Sequence, residues 1–458
     1  MNLAGTLYIK KMNKLIITIF GATGDLTLRK LLPALETLIK TQKDYESLTI
    51  VAVGRRAFTS EEYLSFVSES NAFSGDINTL RPYLVYTQVD ALKPNTYENL
   101  KTLFSALSSG KQSVRKIFYL AVGPDLFLDI ASNLLDTKLV TKGDLNSIIA
   151  FEKPFGHTFE DARFINAFLE EKFSPAQIYR VDHYLGKEMI QNIIDLRFSN
   201  TFIHAIWNNE HIREIKIVVS EKDGILNRGA YYDEVGVLND MVQSHLLQIL
   251  ALLVMDIPHS LASEDIQNAK IAALEKVKYI ASESLLGQYK GYRNELGVDP
   301  DSLISTLAFL RVEVQTPKYN GIPIYLITGK KLARKEAYIE VIFKDAPGSH
   351  LFAGSRPNRL IIEIAPESRI TLELNSLAKL HTSEVVPTKL EHCFSCNFPG
   401  AIKEAYSALF TEMIHGRKTL FPSFNEIAKA WDIICQIRDE KPRYFIYEPG
   451  FDMGGNND

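Results

Sequence analysis

The chain has 458 residues, of which 46% are hydrophobic and 23% are charged. These proportions indicate a soluble globular protein and exclude a disordered chain, a collagen-like fibre and a disulfide-stapled miniprotein. Lysine and arginine (51) nearly balance aspartate and glutamate (55), so the net charge of −4 draws the molecule to neither nucleic acid nor an anionic membrane.

The N-terminal region contains lysines followed by an apolar run at residues 15–20, which superficially resembles a secretory signal. The run is shorter than the roughly 7–15 apolar residues of such a signal, so we predict a buried strand instead. The longest other apolar stretch, residues 246–255, is too short to cross a bilayer. We therefore expect no membrane segment, and the small number of cysteines, considered below, leads us to expect a cytoplasmic protein.

The first third of the chain alternates apolar, β-branched runs with a helical pattern. Strands are predicted at residues 15–20, 48–53, 116–122 and 147–151, with a helix at 28–40. This alternation is typical of a parallel sheet covered by helices. It predicts an α/β Rossmann-type domain over residues 1–180.

The pattern changes in the rest of the chain. Strands are predicted at residues 214–220, 309–314, 322–328, 338–343, 360–364 and 370–374, and helices at 235–255 and 399–414. Their alternating composition predicts an α+β domain with a large, mostly antiparallel sheet over residues 181–458.

Three cysteines are too few for a disulfide framework, and free thiols suit a reducing compartment. Cys393 and Cys396 form a CxxC pair, but no second pair completes a zinc site. We expect free thiols that pack as small hydrophobic groups, and no metal. A redox-active pair stays open as an alternative.

The sequence Gly21-Ala-Thr-Gly24 follows a predicted strand and opens a predicted helix. Glycines at this position let backbone N–H groups approach a pyrophosphate, and the helix N-terminus favours negative charge. The alternative is a turn with a purely structural role.

Gly54, Arg55 and Arg56 follow the next predicted strand. At this position NAD-binding folds place an acidic residue that bonds to the ribose. Two arginines there favour NADP, unless they form only a solvated basic turn.

Two further segments are rich in ionisable groups, residues 152–156 (EKPFG) and residues 180–188 (RVDHYLGKE). The first follows a predicted parallel strand, at the edge where open α/β sheets bind ligands. The second combines His and Lys donors, which suit a phosphate monoester, with an Asp that could orient a base. A solvated charged segment is the alternative, but the interleaved apolar residues do not favour it.

These motifs, together with residues 20–26 (FGATGDL), Tyr231, Asp233 and the pair Gly329-Lys330, resemble the glucose-6-phosphate dehydrogenase family. The resemblance extends from about residue 14 to about residue 431. It implies oxidation of glucose 6-phosphate to 6-phospho-D-glucono-1,5-lactone with hydride transfer to NADP, the first step of the oxidative pentose phosphate pathway. It also implies a homodimer or a dimer of dimers.

The resemblance also implies roles for individual residues. His245 matches the catalytic base, and Asp182 matches the carboxylate that orients it and should raise its pKa. Arg228 is expected to order the site without touching the substrate. Substrate contacts are expected from His183, Tyr184, Lys187, Lys153, Glu221, Asp240, Lys330 and Lys335. Cofactor contacts are expected from Gly21, Thr23, Gly24, Asp25, Leu26, Lys30, Arg55, Arg56 and Lys153.

Some features depart from the family pattern or stay open. Ser244 precedes the base where Asn is common, and the first eleven residues lie outside the resemblance, so Met12 could be the start. Asp240 and His245 would stand about 140° apart on an α-helix and need not meet. A dehydrogenase of a non-phosphorylated sugar and a silent sugar-phosphate or NADP sensor are the alternative functions.

Overall fold

The computed structural model describes residues 12–41, 44–108, 113–226, 228–380, 382–397 and 404–452. The chain divides into two compact units. The first unit is Met1–Gly186 with Lys403–Pro422, and the second is Lys187–Ile402 with Ser423–Asp458. A late segment of the chain therefore belongs to the N-terminal unit.

The structure contains fifteen strands and fourteen α-helices in the described residues. The strands are β1 Met12–Phe20, β2 Tyr45–Gly54, β3 Leu84–Gln88, β4 Val114–Leu120, β5 Ser147–Phe151, β6 Ile178–Arg180, β7 Ile212–Ser220, β8 Val277–Tyr289, β9 Leu307–Val314, β10 Ile324–Gly329, β11 Glu336–Phe343, β12 Arg359–Ala365, β13 Arg369–Leu377, β14 Val385–Cys393 and β15 Arg443–Tyr447. The helices are α1 Leu32–Thr41, α2 Ser60–Glu69, α3 Ile77–Leu80, α4 Tyr97–Leu107, α5 Phe127–Asp136, α6 Phe159–Lys172, α7 Glu188–Phe198, α8 Thr201–Ile206, α9 Gly229–Val237, α10 Leu247–Val254, α11 Ser263–Leu274, α12 Phe394–Asn397, α13 Ala405–His415 and α14 Phe424–Glu440. Two π-helical segments, Thr27–Leu31 and Leu238–Leu246, adjoin α1 and α10.

The first unit is built on a six-stranded sheet in the order β3-β2-β1-β4-β5-β6. Every pair in it is parallel. From Leu15 to Phe20, β1 is almost completely buried, as expected for a central strand with both faces covered. The predicted Rossmann-type fold is confirmed, and the strand order reverses between β1 and β4, where such sheets bind ligands.

The second unit contains a nine-stranded sheet in the order β14-β13-β12-β11-β7-β10-β9-β8-β15. The pairs β7–β10 and β8–β15 are parallel, and the other pairs are antiparallel. The predicted large, mostly antiparallel sheet is confirmed. All six strands predicted here are present, whereas β8, β14 and β15 were not predicted.

The region predicted as one helix at residues 235–255 is not a single α-helix. A kink at Gly236, where φ is 63°, lies near the end of α9, and the π-helical segment Leu238–Leu246 and then α10 follow it. The N–H of Leu247 donates to the carbonyl of Val242, five residues earlier, as a π-turn requires. Helical periodicity in the sequence did not reveal this wider turn.

The stretch Gly229–Val254 is long and apolar enough to cross a membrane by length and composition alone, and 83% of its most apolar window is buried inside the protein. Burial of this kind favours a core helix.

The other predicted helix, residues 399–414, is present from Ala405 to His415, and residues 398–403 lie outside the described part. The first eleven residues also lie outside it.

The expectation of free thiols at Cys393 and Cys396 is wrong. The two residues form a disulfide at the end of β14, which is the edge strand of the large sheet. Cys435 is exposed and is not part of a disulfide. A spacing of three residues across the start of a short helix brings the two sulfur atoms together, which composition alone does not reveal.

Candidate active site

The predicted phosphate-binding turn lies in the first unit, directly after β1. Gly21 has a φ of 84°, and a Cβ there would lie 2.3 Å from the carbonyl oxygen of Ala121. The N–H groups of Gly21 and Ala22 donate to the carbonyl of Val53 at 3.1 and 3.0 Å, which ties the turn to the end of β2. Only glycine fits this tightly held, left-handed position.

The residues after the turn begin the helical segment that leads into α1. Gly24 N–H and Thr27 Oγ1 both donate to the carbonyl of Gly21, at 3.0 and 2.9 Å. The first turn of a helix leaves N–H groups without intrahelical partners, and these suit phosphate oxygens. The predicted cofactor residues Thr23, Asp25, Leu26 and Lys30 all lie in this stretch. Asp25 is exposed and pairs with Arg29 at 3.0 Å, and Lys30 Nζ lies 3.8 Å from Glu404.

Arg55 and Arg56 follow β2 with exposed side chains. Their backbone is held in place, because Gln88 Nε2 and Tyr86 Oη donate to the carbonyls of Arg55 and Arg56 at 2.9 and 2.7 Å. The guanidinium of Arg56 lies over the Phe66 ring, 5.2 Å from its centroid. Two exposed guanidiniums on an ordered backbone suit a ribose 2′-phosphate.

Replacing Arg55 by Ala should raise the KM for NADP by about tenfold or more, because a hydrogen bond between charged groups is lost. The KM for NAD should change much less, since NAD lacks the 2′-phosphate. Steady-state kinetics with each cofactor measure this, with the exposed Arg163→Ala on α6 as the matched control. Equal losses for NAD and NADP would contradict the assignment.

Glu152 lies at the end of β5 with its carboxylate buried. It accepts hydrogen bonds from the Tyr119 hydroxyl and from the N–H of Lys153, and the peptide between Lys153 and Pro154 is cis. Burial raises the pKa of Glu152, and its hydrogen bonds with Tyr119 and Lys153 act in the opposite direction. The backbone of the predicted residue Lys153 is therefore held by the buried carboxylate of Glu152.

The raised pKa of Glu152 predicts a pH dependence of stability. A carboxyl whose pKa is higher in the folded state stabilises the fold below its ordinary pKa of 4.5, and this stabilisation is lost as the pH rises through the raised value. The free energy of unfolding of the wild type should therefore fall relative to that of Glu152→Gln by up to about 1.4 kcal/mol per pH unit as the pH increases above about 4.5, and its melting temperature should fall with it. Thermal melts from pH 4 to 8 measure this. The exposed Glu170→Gln is the control, and a wild type that gains stability relative to Glu152→Gln would contradict the expectation.

The predicted residues Asp182, His183 and Tyr184 follow β6 in the first unit. Asp182 is buried, and its carboxylate accepts from the N–H of Tyr184 at 2.9 Å. The His183 ring stacks on Tyr406 of α13, with centroids 5.9 Å apart and planes 8° apart. Burial raises the pKa of Tyr406, as do the charge of Glu152 and its hydrogen bond, so this phenol is a proton donor at neutral pH. The segment 182–184 is thus held by its own turn and by an aromatic neighbour.

In the second unit, three of the predicted residues form one cluster. Lys330, at the end of β10, forms an ion pair with Glu221, and its Nζ lies 3.9 Å from Asp240. The Lys330 side chain is only 11% exposed and that of Asp240 only 9%. The backbone of Lys330 is fixed as well, because its N–H donates to Thr306 and its carbonyl accepts from the Tyr447 hydroxyl. A buried cation between two carboxylates offers donors and acceptors to a polyhydroxylated ligand.

His245 lies in the π-helical segment of the second unit and is fully buried. The expectation of a 140° separation from Asp240 is wrong, because it assumed an α-helix. In a π-helix residue i pairs with residue i+5, so Asp240 and His245 lie one turn apart on the same side. Ser244 Oγ donates to the carbonyl of Asp240 at 2.9 Å, so this serine bonds within the helix.

The remaining predicted residues of the second unit lie at its surface or at helix ends. Lys187 immediately precedes α7 and is half-buried. Lys335 is exposed, and its Nζ lies 3.9 Å from Asp223. Arg228 precedes α9, and its guanidinium lies over the Tyr231 ring, 4.6 Å from the centroid.

Comparison with known proteins assigns the chain to a family. Residues 18–192 match the model "Glucose-6-phosphate dehydrogenase, NAD binding domain", and residues 194–455 match "Glucose-6-phosphate dehydrogenase, C-terminal domain". The chain belongs to the glucose-6-phosphate dehydrogenase family. The resemblance predicted from the sequence is therefore confirmed.

Other members of the glucose-6-phosphate dehydrogenase family match nearly the whole chain. The glucose-6-phosphate 1-dehydrogenase of Bacillus subtilis is 35% identical over 96% of this chain and 94% of its own length. A solved structure, "Glucose-6-phosphate dehydrogenase in complex with its substrate glucose-6-phosphate", matches with a TM-score of 0.85 and 28% identity over 98% of this chain and 96% of its own. The enzyme of Mycobacterium avium matches with a TM-score of 0.83 and 29% identity over 96% and 95%.

The structure adds residues to which no role was assigned from the sequence. Glu152, Tyr119 and Tyr406 form a buried polar group in the first unit, and the hydroxyl of Tyr406 bonds to Glu152. Tyr232 lies beside Lys330 in the second unit. Tyr406 is more than two hundred residues away from Glu152 in the sequence, so no local pattern could connect the two.

Proposed function

We propose that this chain oxidises the C1 hydroxyl of glucose 6-phosphate to 6-phospho-D-glucono-1,5-lactone, with NADP as the hydride acceptor. The observation that carries the proposal is that the two family domains together match residues 18–192 and 194–455.

His245 is the general base in this proposal. It removes the proton of the C1 hydroxyl, for which a neutral imidazole near physiological pH is suited. Asp182 orients the imidazole and stabilises the imidazolium that forms, without becoming protonated itself. When bound, NADP supplies the nicotinamide that accepts the hydride.

The residues of the first unit fit a dinucleotide. Gly21 lets the turn pack closely against the carbonyl of Ala121, and the N–H groups at the start of the following helical segment would bind a pyrophosphate. Arg55 and Arg56 would hold the 2′-phosphate, and Thr23 and Lys30 the groups near the turn. Lys153, fixed by its buried neighbour Glu152, would reach the reacting end.

The proposed substrate contacts form two groups, one for the phosphate and one for the sugar hydroxyls. His183, Tyr184 and Lys187 supply donors for the phosphate, which fix the distance between the phosphate and C1. Glu221, Asp240 and Lys330 supply acceptors and a cation for the sugar hydroxyls, and their mutual pairing supports this role. Lys335 adds a further cation that the phosphate or a hydroxyl could engage.

An absorbance assay of nicotinamide reduction tests the function. Glucose and glucose 6-phosphate are each combined with NAD and with NADP, and reduction should be fastest for glucose 6-phosphate with NADP. Equal use of free glucose would favour the dehydrogenase of a non-phosphorylated sugar. Binding of both ligands without reduction would favour the silent sensor.

We further propose that the protein acts in the cytoplasm as a homodimer or a dimer of dimers. The balanced charge and the burial of its most apolar helical stretch support a protein without a membrane segment. The mass of the protein in solution measures the number of subunits, and a monomer at micromolar concentration would contradict the proposal.

A further inference from the structure

Four tyrosines lie together in the hydrophobic core of the second unit, and three of their hydroxyl groups are bonded. The cluster contains Tyr232, Tyr289, Tyr292 and Tyr447. The hydroxyl of Tyr289 donates to Glu295 at 3.0 Å, and that of Tyr292 donates to Asp233 at 2.9 Å. The hydroxyl of Tyr447 donates to the carbonyl of Lys330 at 2.7 Å. This is the ordinary state of a buried phenol.

Tyr232 is the exception. Its side chain is 3% exposed, and its hydroxyl oxygen is buried with no hydrogen-bond partner among the described residues. Leaving a buried hydroxyl unpaired destabilises a fold, so such a group requires an explanation. A phenylalanine would bury the same ring without this unpaired hydroxyl.

Tyr232 lies beside the cluster of Lys330, Glu221 and Asp240, to which the proposed function assigns the sugar hydroxyls. Lys330 Nζ lies 5.0 Å from the centroid of the Tyr232 ring, and the same Nζ pairs with Glu221 and lies 3.9 Å from Asp240. Burial raises the pKa of Tyr232, and the charges of Asp240 and Glu221 raise it further. The phenol is therefore protonated and is a hydrogen-bond donor at neutral pH.

We propose that Tyr232 is a further sugar-binding residue, whose hydroxyl donates a hydrogen bond to one ring hydroxyl of the bound hexose phosphate. A sugar hydroxyl can accept this bond while it donates its own proton to the carboxylate of Asp240 or Glu221. The inference rests on the proposed function and extends it, because it adds to the sugar contacts a neutral donor whose hydroxyl oxygen has no hydrogen-bond partner among the described residues.

Replacing Tyr232 by Phe should have opposite effects on binding and stability. The KM for glucose 6-phosphate should rise about three- to tenfold, since one neutral hydrogen bond is lost, while the KM for NADP stays the same. The melting temperature of the ligand-free protein should rise by a few degrees, because the variant buries no unpaired hydroxyl. A merely structural role would move the melting temperature without moving the KM.

Tyr292→Phe is the matched control from the same cluster. It removes a hydroxyl that is bonded to Asp233, so it should lower the melting temperature and leave the KM for glucose 6-phosphate unchanged. A Tyr232→Phe enzyme with an unchanged KM would overturn the inference, whatever its stability. If the wild type itself does not reduce NADP with glucose 6-phosphate, the proposed function fails instead.

Deoxy analogues identify the sugar hydroxyl. The 2-, 3- and 4-deoxy derivatives of glucose 6-phosphate are compared as substrates of the wild type and of Tyr232→Phe. For the analogue that lacks the partner hydroxyl, the KM values of the two enzymes should become equal, as in a double-mutant cycle between protein and ligand. The hydroxyl at C1 is already assigned to His245, so a difference that persists for all three analogues would overturn the proposal that Tyr232 bonds to a sugar hydroxyl.

Discussion

Replacing His245 by Asn should lower kcat for glucose 6-phosphate oxidation by about 10²-fold or more, the scale of a lost general base. Asparagine retains a polar side chain of similar length at this fully buried position, but it cannot accept a proton near neutral pH. The KM for glucose 6-phosphate should change little, because the base acts on the proton rather than holding the sugar. Initial-rate assays at saturating substrate measure the kcat that remains in the variant.

The exposed His259→Asn in the same unit is the control for the loss of an imidazole. The fold of His245→Asn is checked by its melting temperature, and glucose 6-phosphate binding is checked by calorimetry. In the wild type, kcat/KM should fall as the pH is lowered, because the base becomes protonated. The residual kcat/KM of the variant should not show this fall at low pH. A folded variant with an unchanged rate would remove His245 from the mechanism.

The elements that carry the proposed cofactor site were predictable because local sequence determines them. The run of isoleucines in β1 predicts a strand buried on both faces, and Gly21 predicts a turn that a larger residue would block. The position of Arg55 and Arg56 follows once the end of β2 is known. The six strands predicted for the second sheet have the β-branched or alternating composition that a half-buried face requires.

Other features depend on contacts that periodicity does not encode. The π-helical segment around His245 has the composition of an ordinary core helix, so the shift that aligns His245 with Asp240 was invisible in the sequence. Strand β14 is mostly exposed and shows no clear alternation of burial, and it was not predicted. Tyr232 reads as a core aromatic, and only the coordinates show that its hydroxyl is unpaired among the described residues.

Replacing Lys187 by Ala should raise the KM for glucose 6-phosphate by about tenfold to a hundredfold. The proposed function assigns this lysine to the substrate phosphate, and a hydrogen bond between two charged groups contributes about 1.5–3 kcal/mol. Lys187 immediately precedes α7, whose N-terminus also favours an anion, so part of the attraction should survive the substitution. The rate at saturating substrate should change less than the KM, because the lysine binds the end of the sugar remote from C1.

Free glucose separates this role from a general effect on the site. Because glucose has no phosphate, its kcat/KM should be nearly the same for the wild type and for Lys187→Ala, although it is a poor substrate for both. The exposed Lys278→Ala on β8 should change neither substrate, which controls for the loss of one positive charge from the second unit. Raising the ionic strength should weaken glucose 6-phosphate binding less in Lys187→Ala than in the wild type, since one attractive charge is already absent. Equal losses for glucose and glucose 6-phosphate would show that Lys187 supports the site without binding the phosphate.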